Sequence, residues 1–304
     1  MKPIVIGADG WLGQMLSARL DAERVVFRAP RNGEIDFDSW SGPDDPRSPV
    51  INASGWRVRP GLSRDDYFRS HVDTVGVLLA RLHPGQPLIH FSSASVMGAG
   101  RLTGETDRPD PASFPIPAYA EAKLAGEELV KSHPGISSLI LRPGIVYSPG
   151  GEGMIATLTS LARRRVLLHP LPGPARQHLC SDLLLGDTIA TLLPRFSDFE
   201  GRTLMVADPF VLTNSQITAT IRKNLPGVSL PIPLPTSAFR RLYRLFPAGS
   251  TSRTDFRTWA GIVGVWALDA AYETSPLWEE LRLPKEKYGP DVRWHATILA
   301  GLRP

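Results

Sequence analysis

A tyrosine and a lysine four residues apart are the side chains of this sequence best suited to proton transfer. Tyr119 and Lys123 lie in a run, residues 118–131, whose alanine, glutamate, lysine and leucine content predicts a helix. At this spacing the two side chains lie on one helix face, a turn apart. Because a nearby ammonium favours a phenolate, we expect Lys123 to lower the pKa of Tyr119 from about 10. The phenol can then exchange a proton with a carbonyl or alcohol oxygen, as hydride-transfer chemistry requires.

A glycine pattern near the start of the chain predicts a phosphate-binding turn. Gly7, Gly10 and Gly13 follow a predicted strand at residues 2–6 and open a predicted helix at 11–20. In such a turn the first glycine permits a sharp bend, the second admits a pyrophosphate, and the third lets the helix pack on the sheet. The helix N-terminus adds free N–H groups. The alternative is a turn that binds nothing. We expect a dinucleotide to contact Gly7, Gly10, Trp11, Leu12 and Gly13.

The end of the second predicted strand, residues 25–28, bears on the choice between NAD and NADP. An acidic residue about 20 positions after the glycine motif would bind the ribose 2′-hydroxyl of NAD. Residues 27–31 instead read Phe-Arg-Ala-Pro-Arg, without an acid. Arg28 and Arg31 are suited to clamp a 2′-phosphate, although one or both could be ordinary surface arginines. The sequence therefore favours NADP and leaves NAD open.

Strands and helices alternate through the first half of the chain, which predicts a Rossmann-like α/β fold. Strands are expected at 2–6, 25–28, 34–37, 49–53, 88–92 and 138–141, and helices at 11–20, 64–82 and 118–133. This alternation is typical of a doubly wound parallel sheet covered on both faces. We expect a dinucleotide-binding domain at residues 1–150.

The pattern loosens after residue 147, which predicts a smaller, mixed C-terminal region at 151–304 that binds mainly substrate. Some of its segments are expected to return to the first sheet. The predicted elements are helices at 154–165 and 183–193, a loop at 169–174, a proline-rich stretch at 229–235 that cannot be helical, and a basic amphipathic segment at 239–246.

Composition excludes several functional classes. The chain has 304 residues, 42% of them hydrophobic and 21% charged, as in ordinary globular proteins. The single cysteine, Cys180, rules out an intramolecular disulfide, and neither a leader peptide nor a membrane-length apolar run is seen, so we expect a cytoplasmic protein. The net charge of +4 is scattered, which suits a phosphorylated ligand better than nucleic acid. His169, His178 and Cys180 lack metal-ligand spacing, so we expect no metal.

Four further motifs carry a family resemblance. They are Val-Ile-Asn-Ala-Ser at 50–54, Ile-His-Phe-Ser-Ser-Ala-Ser-Val-Met-Gly at 89–98, Tyr-Ala-Glu-Ala-Lys-Leu-Ala-Gly-Glu at 119–127, and Leu-Arg-Pro-Gly-Ile-Val-Tyr at 141–147. With the glycine turn, they resemble the extended short-chain dehydrogenase/reductase family of nucleotide-sugar epimerases, dehydratases and ketoreductases. The resemblance covers most of the chain and is loosest in the C-terminal part.

The resemblance implies roles for individual residues. Tyr119 would be the acid–base, Lys123 would lower its pKa and bind the nicotinamide ribose, and Ser93 would bind the reacting oxygen, with Ser92 and Ser95 as competitors. The other implied cofactor contacts are Asn52, Ala53, Ser54, Pro143 and Val146, with Asp36 and Phe37 near adenine. Arg176 would hold the diphosphate of a nucleotide-sugar or form a structural salt bridge. A homodimer through the catalytic helix is also implied.

Two departures from the family pattern bear on the site. His71 stands where many members have asparagine, so we expect the contact with water or with Lys123 at this position to differ from theirs. Met97 replaces a usual aromatic residue and is expected to alter the substrate pocket.

Absent residues narrow the reaction. A dehydratase of this family carries an Asp-Glu pair after the serine or threonine, whereas this chain has Ala94 and Ser95. A 3,5-epimerase/reductase needs an additional acid–base pair, and Cys180 is badly placed to supply half of it. A ketoreductase acting on a nucleotide-sugar-like substrate with dissociable NADPH is favoured. The alternatives are a 4-epimerase with tightly bound NAD, a reductase of a non-nucleotide ketone, and a non-catalytic protein that senses NADP.

Overall fold

The computed structural model describes residues 2–26, 35, 40–59, 61–149, 151–171, 175–224, 230–235 and 264–288. Its strands are β1 (Ile4–Ile6), β2 (Glu23–Val25), β3 (Val50–Asn52), β4 (Pro87–Phe91), β5 (Arg101–Thr103), β6 (Ser137–Pro143), β7 (Ile145–Tyr147), β8 (Val166–Leu171), β9 (Arg176–Ser181), β10 (Thr203–Val206), β11 (Val211–Thr213), β12 (Leu230–Pro235) and β13 (Ala270–Tyr272). Its α-helices are α1 (Trp11–Leu20), α2 (Arg64–Phe68), α3 (Thr74–Leu79), α4 (Pro117–Ser132), α5 (Met154–Arg163), α6 (Asp182–Leu192), α7 (Phe196–Phe199), α8 (Asn214–Asn224) and α9 (Ser275–Leu281).

Six strands form a parallel sheet in the order β10-β6-β4-β3-β1-β2. Alternate strand residues face opposite cores, since successive side chains of a strand point to opposite faces. Val5 and Ile51 pack with Leu16 of α1 and Leu184 of α6. Ile4 and its neighbours pack on the other side, against α3 and α4. Both faces are therefore covered, and the predicted Rossmann-like doubly wound fold is confirmed.

A second, mixed sheet is built from chain segments that lie far apart in sequence. Its order is β11-β9-β13-β5, with β7 also paired to β9 and with β11 antiparallel to β9. The second half of the chain also contributes β10 to the first sheet and α6 to its core. The domain boundary near residue 150 stays a prediction.

Several predicted elements differ in their limits. The helix expected at 64–82 is interrupted by a π-helical turn at Arg69–Asp73 and ends at Leu79. The second strand is Glu23–Val25, so it begins two residues earlier than expected, and residues 27 and 28 of the expected strand lie outside the described residues. The expectations for residues 28, 34, 36–37 and 239–246 lie outside the described residues.

The loop expected at 169–174 is wrong for residues 169–171, which belong to β8. That strand pairs in parallel with β12, the proline-rich stretch that was correctly excluded from helix. Prolines recur at every second position of β12, so the missing N–H groups all lie along one edge of the strand. The other edge keeps its donors for β8, which local sequence alone does not reveal.

Candidate active site

The loops that follow the parallel strands enclose a cavity of about 640 Å³. Ligands of open α/β sheets bind at this carboxyl edge. Ten of the predicted site residues line the cavity, namely Gly10, Trp11, Leu12, Ala53, Ser54, Ser93, Tyr119, Lys123, Pro143 and Val146.

The glycine turn has the close packing that a dinucleotide turn needs. Gly7 has a φ of +82°, and a β-carbon there would lie 2.8 Å from the Cα of Ser54. A β-carbon on Gly13 would overlap the carbonyl of Gly7. Gly10 precedes α1, and no side chain caps the first N–H groups of that helix. The turn therefore presents a helix N-terminus to the cavity, a geometry that fits a phosphate group.

Asn52 stabilises the segment after β3 by hydrogen bonds, although it does not itself line the cavity. Its Oδ1 accepts hydrogen bonds from the backbone N–H (3.1 Å) and hydroxyl (2.5 Å) of Ser54. Its Nδ2 donates to Nδ1 of His90 at 3.1 Å. Asn52 thus holds Ala53 and Ser54 at the cavity wall, while Gly7, Gly13 and Asn52 themselves are not among the lining residues.

Ser93, Tyr119 and Lys123 meet at one wall of the cavity. Tyr119 lies in the first turn of α4 and is hydrogen-bonded to Ser93, which follows the end of β4. Lys123 lies a turn further along, and its Nζ donates to the carbonyl oxygen of Phe91 at 3.0 Å. Ser92 and Ser95 also line the cavity, but their hydroxyls have no partner among the described residues. Of the three serines, Ser93 makes the hydrogen bond to Tyr119.

Burial controls proton affinity in this cluster. The pKa of Tyr119 is raised to about 12, because burial disfavours the phenolate more than the hydrogen bond with Ser93 favours it. The pKa of Lys123 is lowered to about 8 by burial, partly opposed by the charge of Glu127. The prediction that Tyr119 has a pKa below its ordinary value is wrong for this structure, because residue spacing carries no information about desolvation.

Two buried histidines lie against the Tyr119–Lys123 pair. His71 lies in the π-helical turn, where its Nε2–H donates to the carbonyl oxygen of Trp56 at 2.9 Å. Its ring meets that of Tyr119 edge-on, with centroids 5.5 Å apart. Burial and the charge of Lys123 lower the pKa of His71 well below its ordinary value and that of His90 to about 3. Both imidazoles are therefore neutral near pH 7. Ser93, Tyr119, Lys123 and His71 line the cavity, whereas His90 does not, and we call these five residues together the floor of the site.

A buried ion pair supports the floor from α4. Arg142 donates from Nε to Glu127 Oε1 (2.8 Å) and from Nη2 to Oε2 (2.6 Å). Nη1 of Arg142 also contacts the sulfur of Met97 at 3.0 Å. Met97 is fully buried and is not among the lining residues, so the expectation that it alters the substrate pocket directly is not met.

Arg176 does not line the cavity. It lies on β9, where its backbone N–H and Nη2 bind the two carboxylate oxygens of Asp269 at 2.7 and 2.9 Å. The structure therefore shows the salt-bridge alternative. Arg28, Arg31, Asp36 and Phe37 lie outside the described residues.

Two of the residues considered for metal binding, His178 and Cys180, have described side chains, and both are buried. His178 donates from Nε2 to the carbonyl oxygen of Asp208 and accepts at Nδ1 from the N–H of Tyr272. Cys180 is buried, and its surroundings raise the pKa of its thiol. The described part of the chain contains no group of three potential metal ligands.

No helix within the described residues has the length and apolar content to cross a membrane.

The mouth of the cavity contains charged residues that sequence reasoning did not single out. Arg57 and Arg59 follow β3, and Glu152 follows β7. We call residues 55–59 together with Glu152 the rim of the site. Their position just after parallel strands was a usable signal, since such loops border ligands. The apolar lining residues Phe114, Ile116 and Val265 gave no comparable signal.

Solved structures share this architecture. A human epimerase family protein in complex with NADPH matches with a TM-score of 0.73 and 15% identity over 99% of each chain. A UDP-glucuronic acid 4-epimerase variant from Bacillus cereus, in complex with a fluorinated UDP-glucuronic acid and NAD, matches with a TM-score of 0.70 and 17% identity, covering 99% of this chain and 98% of that one. RMD from Pseudomonas aeruginosa in complex with NADPH matches with a TM-score of 0.65 and 16% identity, covering 99% of this chain and 98% of that one.

Sequence comparison identifies the family. No curated protein sequence matches the chain. The model of the RmlD substrate binding domain matches residues 1–169, which is more than half of the 304 residues. The chain therefore belongs to the RmlD substrate binding domain family, within the extended short-chain dehydrogenases/reductases that its motifs predicted.

Proposed function

We propose that the protein is an NAD(P)-dependent reductase that acts on a nucleotide-sugar-like ketone in the 640 Å³ cavity. The observation that carries this proposal is the convergence of Ser93, Tyr119 and Lys123 on the cavity into which the glycine turn opens. Family membership supports an enzyme of the epimerase and reductase type. The reductase, the substrate class and the residue roles are our own inference.

The first turn of α1 is the part of the chain best suited to hold a dinucleotide. Gly10, Trp11 and Leu12 line the cavity beside the uncapped N–H groups, and Ala53 and Ser54 face them from the end of β3. The names of the structural neighbours include NADPH and NAD, which supports a dinucleotide here. We propose NADP, with NAD as the alternative, because no acid follows the second strand and Arg28 and Arg31 suit a 2′-phosphate.

The residues of the floor would complete the reduction of a ketone. The nicotinamide of the bound cofactor supplies the hydride. As negative charge develops on the ketone oxygen, Ser93 donates a hydrogen bond to it and Tyr119 delivers the proton. With a pKa of about 12, Tyr119 holds that proton throughout the neutral pH range.

Lys123 would supply the positive charge of the floor. Its ammonium is anchored on the carbonyl of Phe91 and is charged below a pH of about 8. In a site of low dielectric constant, such a charge stabilises a developing oxyanion more than it would in water. The neutral imidazoles of His71 and His90 neither compete with it for the oxyanion nor add to the charge already buried there.

The cofactor that stays with the purified protein tests the reaction class. We expect a reductase to lose its cofactor on dialysis and then to oxidise added NADPH in the presence of a 4-keto nucleotide-sugar. Cofactor that survives dialysis and is released only when the protein is denatured, together with interconversion of UDP-sugars, would point instead to a 4-epimerase, the activity named for two structural neighbours.

A broad panel of ketones and UDP-sugars separates catalysis from sensing. Turnover that is lost in Tyr119→Phe supports the proposal. The absence of turnover across the panel, with NADPH binding unaffected by Tyr119→Phe, would favour a protein that senses the cofactor. A homodimer through α4 stays a prediction, which sedimentation of the purified protein can test.

A further inference from the structure

The rim carries a pair of arginines that the proposed proton chemistry does not use. Arg57 and Arg59 line the mouth of the cavity on one short segment after β3, and both are exposed. The only acid among the described lining residues is Glu152, so cations outnumber anions at the mouth. Arg176, the arginine expected to bind an anion, is paired with Asp269 away from the cavity. Among the described lining residues, the exposed positive charge therefore comes from the rim.

Arg57 has an exchangeable partner. Its Nε lies 2.7 Å from Oε2 of Glu152, and the two side chains are 53% and 56% exposed. Ion pairs as exposed as this contribute little stability, because water and salt screen them. The pair joins the segments after β3 and β7, so the carboxylate occupies a position where an oxyanion of a ligand could replace it.

Arg59 packs against an aromatic ring. Its guanidinium lies over the ring of Trp56, 5.1 Å from the centroid. A cation–π contact of this kind positions the group and leaves its charge and N–H donors available. No acidic side chain of the described residues forms an ion pair with Arg59.

The backbone that carries both arginines is tethered. The N–H of Trp56 donates to the hydroxyl of Ser70 at 2.7 Å, and the carbonyl of Trp56 accepts from His71 at 2.9 Å. Both partners lie in the π-helical turn beside the floor. The backbone of this segment is therefore fixed at Trp56, which limits the conformations open to both arginines and reduces the entropy lost when they bind an anion.

We propose that Arg57 and Arg59 form a subsite for a phosphate oxyanion at the mouth of the cavity, with Glu152 as an internal occupant that the ligand displaces. Guanidinium groups bind phosphate oxygens in a bidentate manner. The phosphate belongs either to the substrate or to the dinucleotide. The inference rests on the proposed function only in taking this cavity as the ligand site.

Calorimetric titration with two probes tests the subsite. One arm titrates UDP into protein saturated with NADPH, and the other titrates NADPH into cofactor-free protein. The Arg57→Ala/Arg59→Ala variant is compared with Arg176→Ala/Arg195→Ala, which removes the same charge from exposed positions outside the cavity. We expect the rim variant to weaken binding of one probe by about tenfold or more and the control by less than about twofold.

Removing the negative charge at the rim gives a second test, in which binding is expected to change in the opposite direction. Glu152→Gln frees Arg57, so we expect the same probe to bind a few-fold more tightly and its binding to become more sensitive to salt. An effect on UDP assigns the phosphate to the substrate, and an effect on NADPH assigns it to the cofactor. Equal affinities in the rim and control variants, weaker binding in Glu152→Gln, or no effect on either probe would overturn the proposal.

Turnover separates this proposal from the proposed function. Arginine-dependent binding without NADPH oxidation on any ketone would remove the reductase assignment and keep the subsite. NADPH-dependent turnover with binding that is indifferent to both arginines would do the reverse.

Discussion

The floor and the rim use charged and titratable groups in opposite ways. At the floor, Lys123, His71 and His90 are buried, and burial is the largest cause of each pKa shift. At the rim, Arg57 and Glu152 are about half exposed and meet in a single exposed ion pair. At the floor, burial therefore determines the pKa of each titratable group. At the rim, each charged group can exchange its partner for water or for a ligand. Desolvation makes the floor suited to chemistry, and hydration makes the rim suited to ligand exchange.

The largest expected effect is on turnover, from the loss of one floor hydroxyl. We expect Tyr119→Phe to lower kcat by about 10²–10⁴-fold, because the proton donor is removed while the ring contact with His71 is kept. Single-turnover oxidation of NADPH measures the chemical step. Tyr67→Phe is the matched control, since Tyr67 packs edge-on against Tyr119 but does not line the cavity. Equal losses in the two variants would remove Tyr119 from its proposed role.

The next largest effect is on stability, from the ion pair behind the floor. Glu127→Gln leaves the buried Arg142 without a charged partner, and we expect it to lower the free energy of unfolding by about 3 kcal/mol or more. Glu121→Gln on the same helix breaks an exposed pair with Arg64 and should cost less than about 1 kcal/mol. Urea unfolding compares the two. Similar losses would mean that burial does not separate these pairs.

Acid should destabilise the floor through His90. Its folded pKa of about 3 lies below its ordinary value of 6.5, so the unfolded chain binds an extra proton between those values and stability falls as pH drops through 6.5. Between pH 7.5 and 5.0, we expect the wild type to lose about 2 kcal/mol more than His90→Gln. Urea unfolding at the two pH values tests this, and parallel losses would contradict a neutral buried imidazole.

The smallest expected effect is on stability at the rim. Glu152→Gln breaks the exposed pair with Arg57, and we expect the free energy of unfolding to change by less than about 1 kcal/mol. Added salt should shrink even that difference, because exposed pairs are screened. A loss as large as that of Glu127→Gln would erase the distinction between floor and rim.

Much of the first sheet could be predicted from local patterns. Val-Ile runs mark strands buried on both faces, and the glycine turn marks where β1 gives way to α1. The miss at β8 has a tertiary cause, since that strand exists through pairing with the distant β12. The π-helical turn at Arg69–Asp73 also escaped prediction, because nothing in the helical periodicity signals an added residue in a turn.

The sequence indicated which residues of the candidate site come together, but it did not indicate how their surroundings shift the pKa of Tyr119. Ser93, Tyr119 and Lys123 meet as expected, yet the pKa of Tyr119 shifts upward because its surroundings withhold water from the phenolate. Arg176 was predicted either to hold a ligand diphosphate or to form a salt bridge, and it pairs with Asp269, 93 residues along the chain. Its partner could not be inferred from its neighbours in sequence.

By itself, the sequence determined the parallel sheet, the dinucleotide-type turn and the Tyr119–Lys123 spacing. These follow from periodicity, glycine conformation and helix geometry, which act over a few residues. Only the tertiary structure decided which serine meets Tyr119, which way the pKa of that phenol moves, and which arginines reach the cavity. Those outcomes depend on desolvation and on partners from distant segments, and both arise only when the chain is folded.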